Sequence, residues 1–320
     1  PYSRAYFIIN GKATEVEVEE AAFTTTRLPF NLALRGGRYF ANFGRLPKFH
    51  DHELPFVERT ESLDRFINGE ARTEGLELTH LFPFPFFLQG TLGLGNKLGA
   101  ENSRLEETTP ASQDGHKNGR PLQAFTYNGR LFTYAPLGDD WGLDLGASAA
   151  YTPRQYYVGG ARTNHPNTTR LLNAADVTVR WEPLGDNVRK ALWSTEVFRN
   201  NERRRTAIVD GTGAAINDAA GNALFANVPR TAWGAVSFVD VRVSRRLSVG
   251  GYGDFAENLD VRKKVNTNVG AFFNVHVSEF QRIRFQVSRL RDNFGGKADV
   301  RGFVQYTASI GRHAHTFKDR

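Results

Sequence analysis

Cysteine is absent from the 320 residues, which excludes a disulfide framework, a thiolate metal site and a cysteine nucleophile. Methionine is absent as well, and the chain opens at Pro1 with no charged-then-apolar leader, the expectation for a processed or truncated chain. No window holds the uninterrupted apolar run of a membrane-crossing helix, so a helical membrane protein is excluded. The 41 basic residues exceed the 34 acidic ones, for a formal charge of +7. They are scattered, with no helix-turn-helix, zinc-finger or RNP-like pattern to organise them, and no nucleic-acid partner is expected.

A period of two dominates what is present. Val269, Ala271, Phe273, Val275 and Val277 alternate with Asn268, Gly270, Asn274, His276 and Ser278, and Phe272 is the exception on the polar side. Ile283, Phe285 and Val287 oppose Arg282, Arg284, Gln286 and Ser288, and Val304, Tyr306, Ala308 and Ile310 oppose Gln305, Thr307 and Ser309. Trp141, Leu143, Leu145, Ala147, Ala149 and Tyr151, aromatic at both ends, oppose Gly142, Asp144, Gly146 and Ser148. A soluble sandwich would need a second sheet over the apolar face and rarely keeps Arg, Asn, His and Gln so regularly on the other. A closed barrel with lipid outside and water inside accounts for both faces. It also accounts for the mean hydropathy of −0.45, because only alternate strand residues face lipid. The 25 Phe, 10 Tyr and 4 Trp suit interfacial girdles.

The fold expected is therefore all-β, an antiparallel transmembrane β-barrel of about 14 strands (12–16) in a single domain over 1–320. Strands are expected at 3–9, 14–25, 31–43, 74–82, 87–97, 124–135, 141–151, 173–182, 189–199, 232–244, 247–256, 267–278, 281–291 and 301–311. Pro136-Leu137-Gly138-Asp139-Asp140 recurs as Pro183-Leu184-Gly185-Asp186-Asn187, and both read as tight turns on one rim. Long polar loops are expected between those hairpins, at 152–171, 199–230, 257–266 and 291–299.

Phe303-Val304-Gln305-Tyr306-Thr307-Ala308-Ser309-Ile310-Gly311, followed by Phe317, resembles the terminal strand with a late aromatic by which assembly machinery recognises outer-membrane proteins. Here Lys318, Asp319 and Arg320 follow that Phe. Arg35-Gly36-Gly37-Arg38-Tyr39-Phe40-Ala41-Asn42-Phe43-Gly44-Arg45 resembles porin-like proteins in which a strand rich in small residues rises to a Phe-Gly corner. Phe49 to Val57, together with Gly311 to Phe317, is similar to outer-membrane barrels labelled zinc-regulated receptors. These resemblances imply a bacterial outer-membrane location, and the last implies metal-linked physiology. No plug domain is visible, and the chain is too short for the roughly 22 strands of a TonB-type transporter.

Arg180, Arg242, Arg282 and Arg284 fall on inward positions, with Asp144, Asp176, Glu182, Asp240 and Asp254 as counter-charges and with Asn274 and His276 on the same wall. Opposed acidic and basic walls set up a transverse field in a pore. The competing arrangement is a neutralised filling that conducts nothing, but a barrel this wide is not closed by wall side chains alone.

His50, Asp51, His52 and Glu53 place four potential ligands in four residues, a chemistry that suits zinc, copper or nickel. On an outer loop they would hold a divalent metal loosely, and the plain alternative is a solvated loop. No other cofactor is expected. His313 and His315 form a second close pair. Asn274, His276 and Ser278 resemble the His-x-Ser arrangement of an outer-membrane phospholipase, but they lie on the wet face, away from bilayer lipid, and no enzyme is expected. Arg199, Arg203, Arg204 and Arg205 are placed in a long outer loop that could meet lipopolysaccharide phosphates.

The function expected is a porin-like channel for passive diffusion of small polar or ionic solutes, weakly anion-selective. The alternative is a structural or docking barrel of a larger cell-envelope complex, with a metal-linked uptake barrel or a lipase behind both. Partners expected are outer-membrane lipid and lipopolysaccharide, small solutes, and either copies of itself or an envelope complex.

Overall fold

The computed structural model describes residues 2–11, 16–25, 27–99, 122, 125–153, 169–186, 188–208, 216–221, 224–259, 264–278, 280–292 and 298–308. The strands are β1 (Ser3–Gly11), β2 (Val16–Thr25), β3 (Leu32–Phe40), β4 (Arg72–Leu81), β5 (Phe87–Gly95), β6 (Thr126–Leu137) and β7 (Trp141–Thr152). They continue as β8 (Arg170–Trp181), β9 (Lys190–Ala207), β10 (Phe225–Arg242), β11 (Leu247–Glu257), β12 (Val265–Ser278), β13 (Gln281–Arg291) and β14 (Asp299–Ala308). One helix, α1 (Glu61–Ile67), lies between β3 and β4. Each strand pairs antiparallel with the next in chain order, giving one 14-stranded sheet.

The sheet is rolled into a barrel around the segment 41–71. Eleven strand spacings separate β2 from β13, about 53 Å if the sheet were flat. Yet His50 Nε2 lies 3.0 Å from Glu20 of β2, and the Leu54 carbonyl accepts from Arg284 of β13. Four residues of extended chain span at most about 14 Å. Only a sheet that wraps round the segment brings both strands to it.

Burial alternates along each strand as that geometry requires. On β10, Ala232, Val236, Phe238 and Asp240 are buried while Trp233 and Val239 are exposed; on β13, Arg284, Gln286 and Ser288 are buried while Phe285 and Val287 are exposed. Exposed apolar side chains therefore face outward and polar ones inward, the pattern of a lipid-facing barrel. The inner face is less polar than the alternation alone suggests. Leu172, Leu192, Phe198, Phe238, Tyr252 and Phe272 all point inward and are buried, so the hydrophobic core sits inside the barrel.

At one end the connections are short: 26–31, 82–86, 138–140, 182–189, 243–246 and 279–280. Gly138 and Gly185 take φ of 72° and 83° in the two related turns, a backbone region that glycine enters without steric cost. The opposite end carries 41–71, 96–125, 153–169 and 208–224.

Two expectations are corrected. Two stretches of 199–230, expected as a loop, are strand, 199–207 in β9 and 225–230 in β10: these strands stay in register from Arg242↔Lys190 to Phe225↔Ala207, so Arg199, Arg203, Arg204 and Arg205 belong to β9. Backbone pairing does not need a lipid face, and beyond the apolar band the residues cease to advertise a strand. β3 ends at Phe40 rather than at 43, because the Ala41 N–H donates to the Ala71 carbonyl and closes the base of the inner segment. His313, His315 and Phe317 lie outside the described residues.

Candidate functional site: the barrel interior

The segment 41–71 makes a circuit of the interior, and local chemistry explains each change of direction. Gly44 has φ of 64°, and a side chain there would meet the Glu196 carboxylate. Pro47 opens a single 3-10 turn over Leu46–Lys48. The Asp254 carboxylate of β11 caps α1 by accepting from the Glu61 N–H at 2.6 Å and the Ser62 N–H at 3.2 Å, two donors that a helix start leaves unpaired. Asn68, with φ of 59°, ends α1 in the left-handed region, where its N–H reaches the Asp64 carbonyl.

Polar anchors hold the circuit to the wall. The N–H groups of Arg45 and Leu46 donate to Glu196 of β9 at 2.8 and 2.9 Å, and Arg45 Nη1 pairs with Asp144 of β7 at 3.2 Å. On the far side, Arg284 of β13 donates to the carbonyls of Leu54, Phe56 and Asp51, and Arg282 donates to that of His52. Gln286 Oε1 accepts from the Val57 N–H at 2.5 Å, and the Asn274 amide donates to the Pro55 carbonyl at 3.3 Å. Glu58 accepts from Ser288 at 3.0 Å and from Arg301 of β14.

Apolar contacts fill the space between the anchors. Phe56 lies 5.6, 5.1 and 6.3 Å from the rings of Phe238, Tyr252 and Phe272, which come from three successive strands. Phe66 of α1 lies 6.3 Å from Phe198 of β9. Phe272, the exception to the polar face of its strand, is thus part of the socket for Phe56. The repeated inward aromatics were the signal of an inward-folded segment.

His50 does not lie on an outer loop; it is buried inside the barrel, as is Glu53. Its ring nitrogens face Glu19 at 3.3 Å and Glu20 at 3.0 Å, and the latter also accepts from the Tyr6 hydroxyl at 2.9 Å. Burial alone would lower the His50 pKa, but hydrogen bonds and charge from Glu19 and Glu20 outweigh it and hold it at about 10. Lys48 is moved the other way: burial, with Arg130 and Arg45 nearby, brings it down to about 7.

His50, Asp51, His52 and Glu53 do not converge on one point. Asp51 pairs with Arg59, the His52 ring stacks 5.4 Å from that of His50, and Glu53 folds back to accept from the His50 N–H at 3.0 Å. Among the described residues, the grouping that brings three ligand atoms within 4.8 Å is Glu19, His50 and Glu70. Glu70 is already engaged by Arg59 at 3.0 Å and Arg72 at 3.2 Å, so the cluster is charge-compensated by its own cations.

The other inward candidates differ in burial. Asp144 and Asp240 are buried, and Asp144 is shared between Arg45 and Arg180, the latter at 2.6 Å. Arg284 is fully buried against carbonyls of the inner segment. Arg180, Arg242, Arg282 and His276 are only partly buried and lie near the short-turn end of their strands. In the Asn274, His276 and Ser278 set, Asn274 donates to Pro55 and Ser248, and the pairing with β13 shifts register between His276 and Ser278.

No family model matches the chain. An uncharacterised protein of Aquifex aeolicus is 30% identical over 88 residues, which make up 28% of this chain and 19% of that protein. The chain therefore spans about a fifth of the length of that relative. Among solved structures, the loop L8 deletion mutant of OmpT, an outer membrane protein of Vibrio cholerae, is similar over 92% of this chain and 80% of its own, with a TM-score of 0.53 and 12% identity. The fold is that of an outer-membrane β-barrel. The anion-selective porin of Comamonas acidovorans (91% of this chain, 75% of that one, TM-score 0.49, 8% identity) and OprB of Pseudomonas putida (93%, 74%, 0.49, 10%) are also similar. In this outer-membrane barrel the strands surround the segment 41–71, which is fastened to their inner faces.

Proposed function

We propose that the protein is an outer-membrane channel of low permeability, with a path for small polar or ionic solutes between the wall and the inner segment. The observation that carries this reading is the segment itself: it narrows a lumen that the wall of a 14-stranded barrel leaves open, and it is fastened by side chains rather than built into the sheet. Arg180, Arg242 and Arg282, partly exposed toward one mouth, favour anions over cations in that path. Planar-bilayer recording tests it. Small conductance steps are expected, with a reversal potential in a KCl gradient on the anion side that moves toward cations in Arg242→Glu, Arg282→Glu protein.

A second reading, a structural or docking barrel of a larger envelope complex, is favoured by the apolar packing of Phe56 and Phe66 inside the lumen. A folded, bilayer-inserted protein that passes no current would establish it over the channel.

A further inference from the structure

The outer face of the sheet is charged at one end only. From the short-turn end, the outward positions of β9 run Ala191, Trp193, Thr195 and Val197, then Arg199, Asn201 and Arg203; those of β13 run Ile283, Phe285 and Val287, then Arg289 and Arg291. All four arginines are exposed. Arg199 stands opposite Trp233, and Arg289 stands between Val269 and Val300. At the short-turn end the matching outward positions are apolar, as at Trp141 and Trp181, 6.4 Å apart, and at Val277.

Depth along the barrel places these cations. Val277 to Val269 on β12 covers eight residues, about 27 Å of strand and roughly 20 Å along the membrane normal at a 35–45° tilt. That is most of an apolar band about 25 Å tall, so Arg289, beside Val269, stands at its far edge. A charge there costs little, whereas at the midplane it is strongly unfavourable. The Arg199 guanidinium lies 5.3 Å over the Trp233 ring, and such a ring settles at headgroup level.

Another outward arginine of this tier, Arg38, is matched by Glu17 at 3.6 Å and Glu74 at 3.5 Å. Among the described residues, none of the other four meets a carboxylate. We propose that Arg199 and Arg203 on β9, and Arg289 and Arg291 on β13, bind the phosphate groups of glycolipid in the outer leaflet. A guanidinium presents a planar fork of donors that fits phosphate oxygens two at a time. Four strand spacings, about 19 Å, separate β9 from β13, so each pair makes its own contact. The long-loop end, where all four stand, is the external end of an outer-membrane barrel. The inference rests on the fold and its orientation and is independent of conduction.

The test measures the unfolding temperature of the purified barrel in micelles containing diphosphoryl lipid A, lipid A stripped of both phosphates, or inorganic phosphate alone. Diphosphoryl lipid A is expected to raise the temperature of the parent, and the other two are expected to leave it unchanged. Arg199→Gln, Arg203→Gln and Arg289→Gln, Arg291→Gln are expected each to lose about half of the rise, and the fourfold variant all of it. Arg189→Gln, on a short turn at the opposite end, keeps the full rise. The proposal is overturned if the stripped lipid or inorganic phosphate stabilises the parent equally, or if both paired variants keep the parent's response. The parent comparison and the paired variants decide the matter even where the fourfold variant does not assemble.

Discussion

Arg45 of the inner segment and Asp144 of β7 form an ion pair of 3.2 Å with side-chain exposures of 1% and 0%. Arg180 reaches the other oxygen of the same carboxylate at 2.6 Å. One buried acid thus joins the inner segment to the wall and to a partly exposed arginine near the mouth. Two charges withdrawn from water are tolerated only while they stay paired, so the position of residue 45 and the integrity of the wall are linked.

Asp144→Asn should accordingly destabilise the barrel strongly. Removing one partner of a buried pair typically costs about 3–5 kcal/mol, and here two guanidinium groups lose their counter-charge. Arg180→Ala should cost much less, because Asp144 keeps Arg45. Urea unfolding in lipid vesicles compares the two, and equal losses would contradict the shared-carboxylate account.

Val179 points outward between Leu143 and Trp193, whereas Thr178 beside it is buried toward the interior. A cation on the lipid face costs ~2–4 kcal/mol at the midplane and less toward either rim, and Val179 stands two residues in from Trp181. Val179→Arg should therefore impair assembly far more than Arg180→Ala, measured as the fraction of protein that resists heat-free SDS denaturation. Similar folded fractions for both would sink the assigned faces.

Fourteen strands were legible because a strand with one wet face and one apolar face declares itself within ten residues. β13 is the clearest case, since from Gln281 to Arg289 the polar run is interrupted at Ile283, Phe285 and Val287 alone. The inner segment was not legible in the same way. Its direction depends on partners far away in the chain, such as Phe56 with Phe238, Tyr252 and Phe272, or Ser62 with Asp254 at 2.5 Å. No local period encodes such contacts. His50 shows the limit most sharply: its neighbours in sequence suggested a ligand cluster, while its contacts are Glu19 and Glu20, thirty residues upstream.

Arg284→Met should loosen the segment from β13. Arg284 holds the carbonyls of Leu54 and Phe56, and its loss leaves those two buried acceptors without this donor unless the segment shifts. Under the channel reading, single-channel conductance should rise severalfold while the barrel stays folded. Unaltered conductance in a folded variant would place the conducting path away from this contact.

The segment carries two groups whose titrations oppose each other, two residues apart. His50 is held at about 10 against 6.5 when unfolded, so its contribution is complete below about pH 6.5 and is lost as pH rises through 10. Lys48 is held at about 7 against 10.5 when unfolded, so it is penalised in full below pH 7 and relieved as pH rises toward 10.5. In the parent the two nearly offset each other, and stability should change little over this window on their account. His50→Gln removes the falling limb and should leave a barrel that grows more stable from about pH 7 to about pH 10.5. Lys48→Met removes the rising limb, so that stability should be higher than in the parent near pH 6 and should fall steadily above about pH 6.5. Denaturant unfolding followed by tryptophan fluorescence across this range separates the three curves. If both variants ran parallel to the parent, neither group would change its proton affinity on folding, and the contacts of Glu19 and Glu20 with His50 would not hold in the membrane.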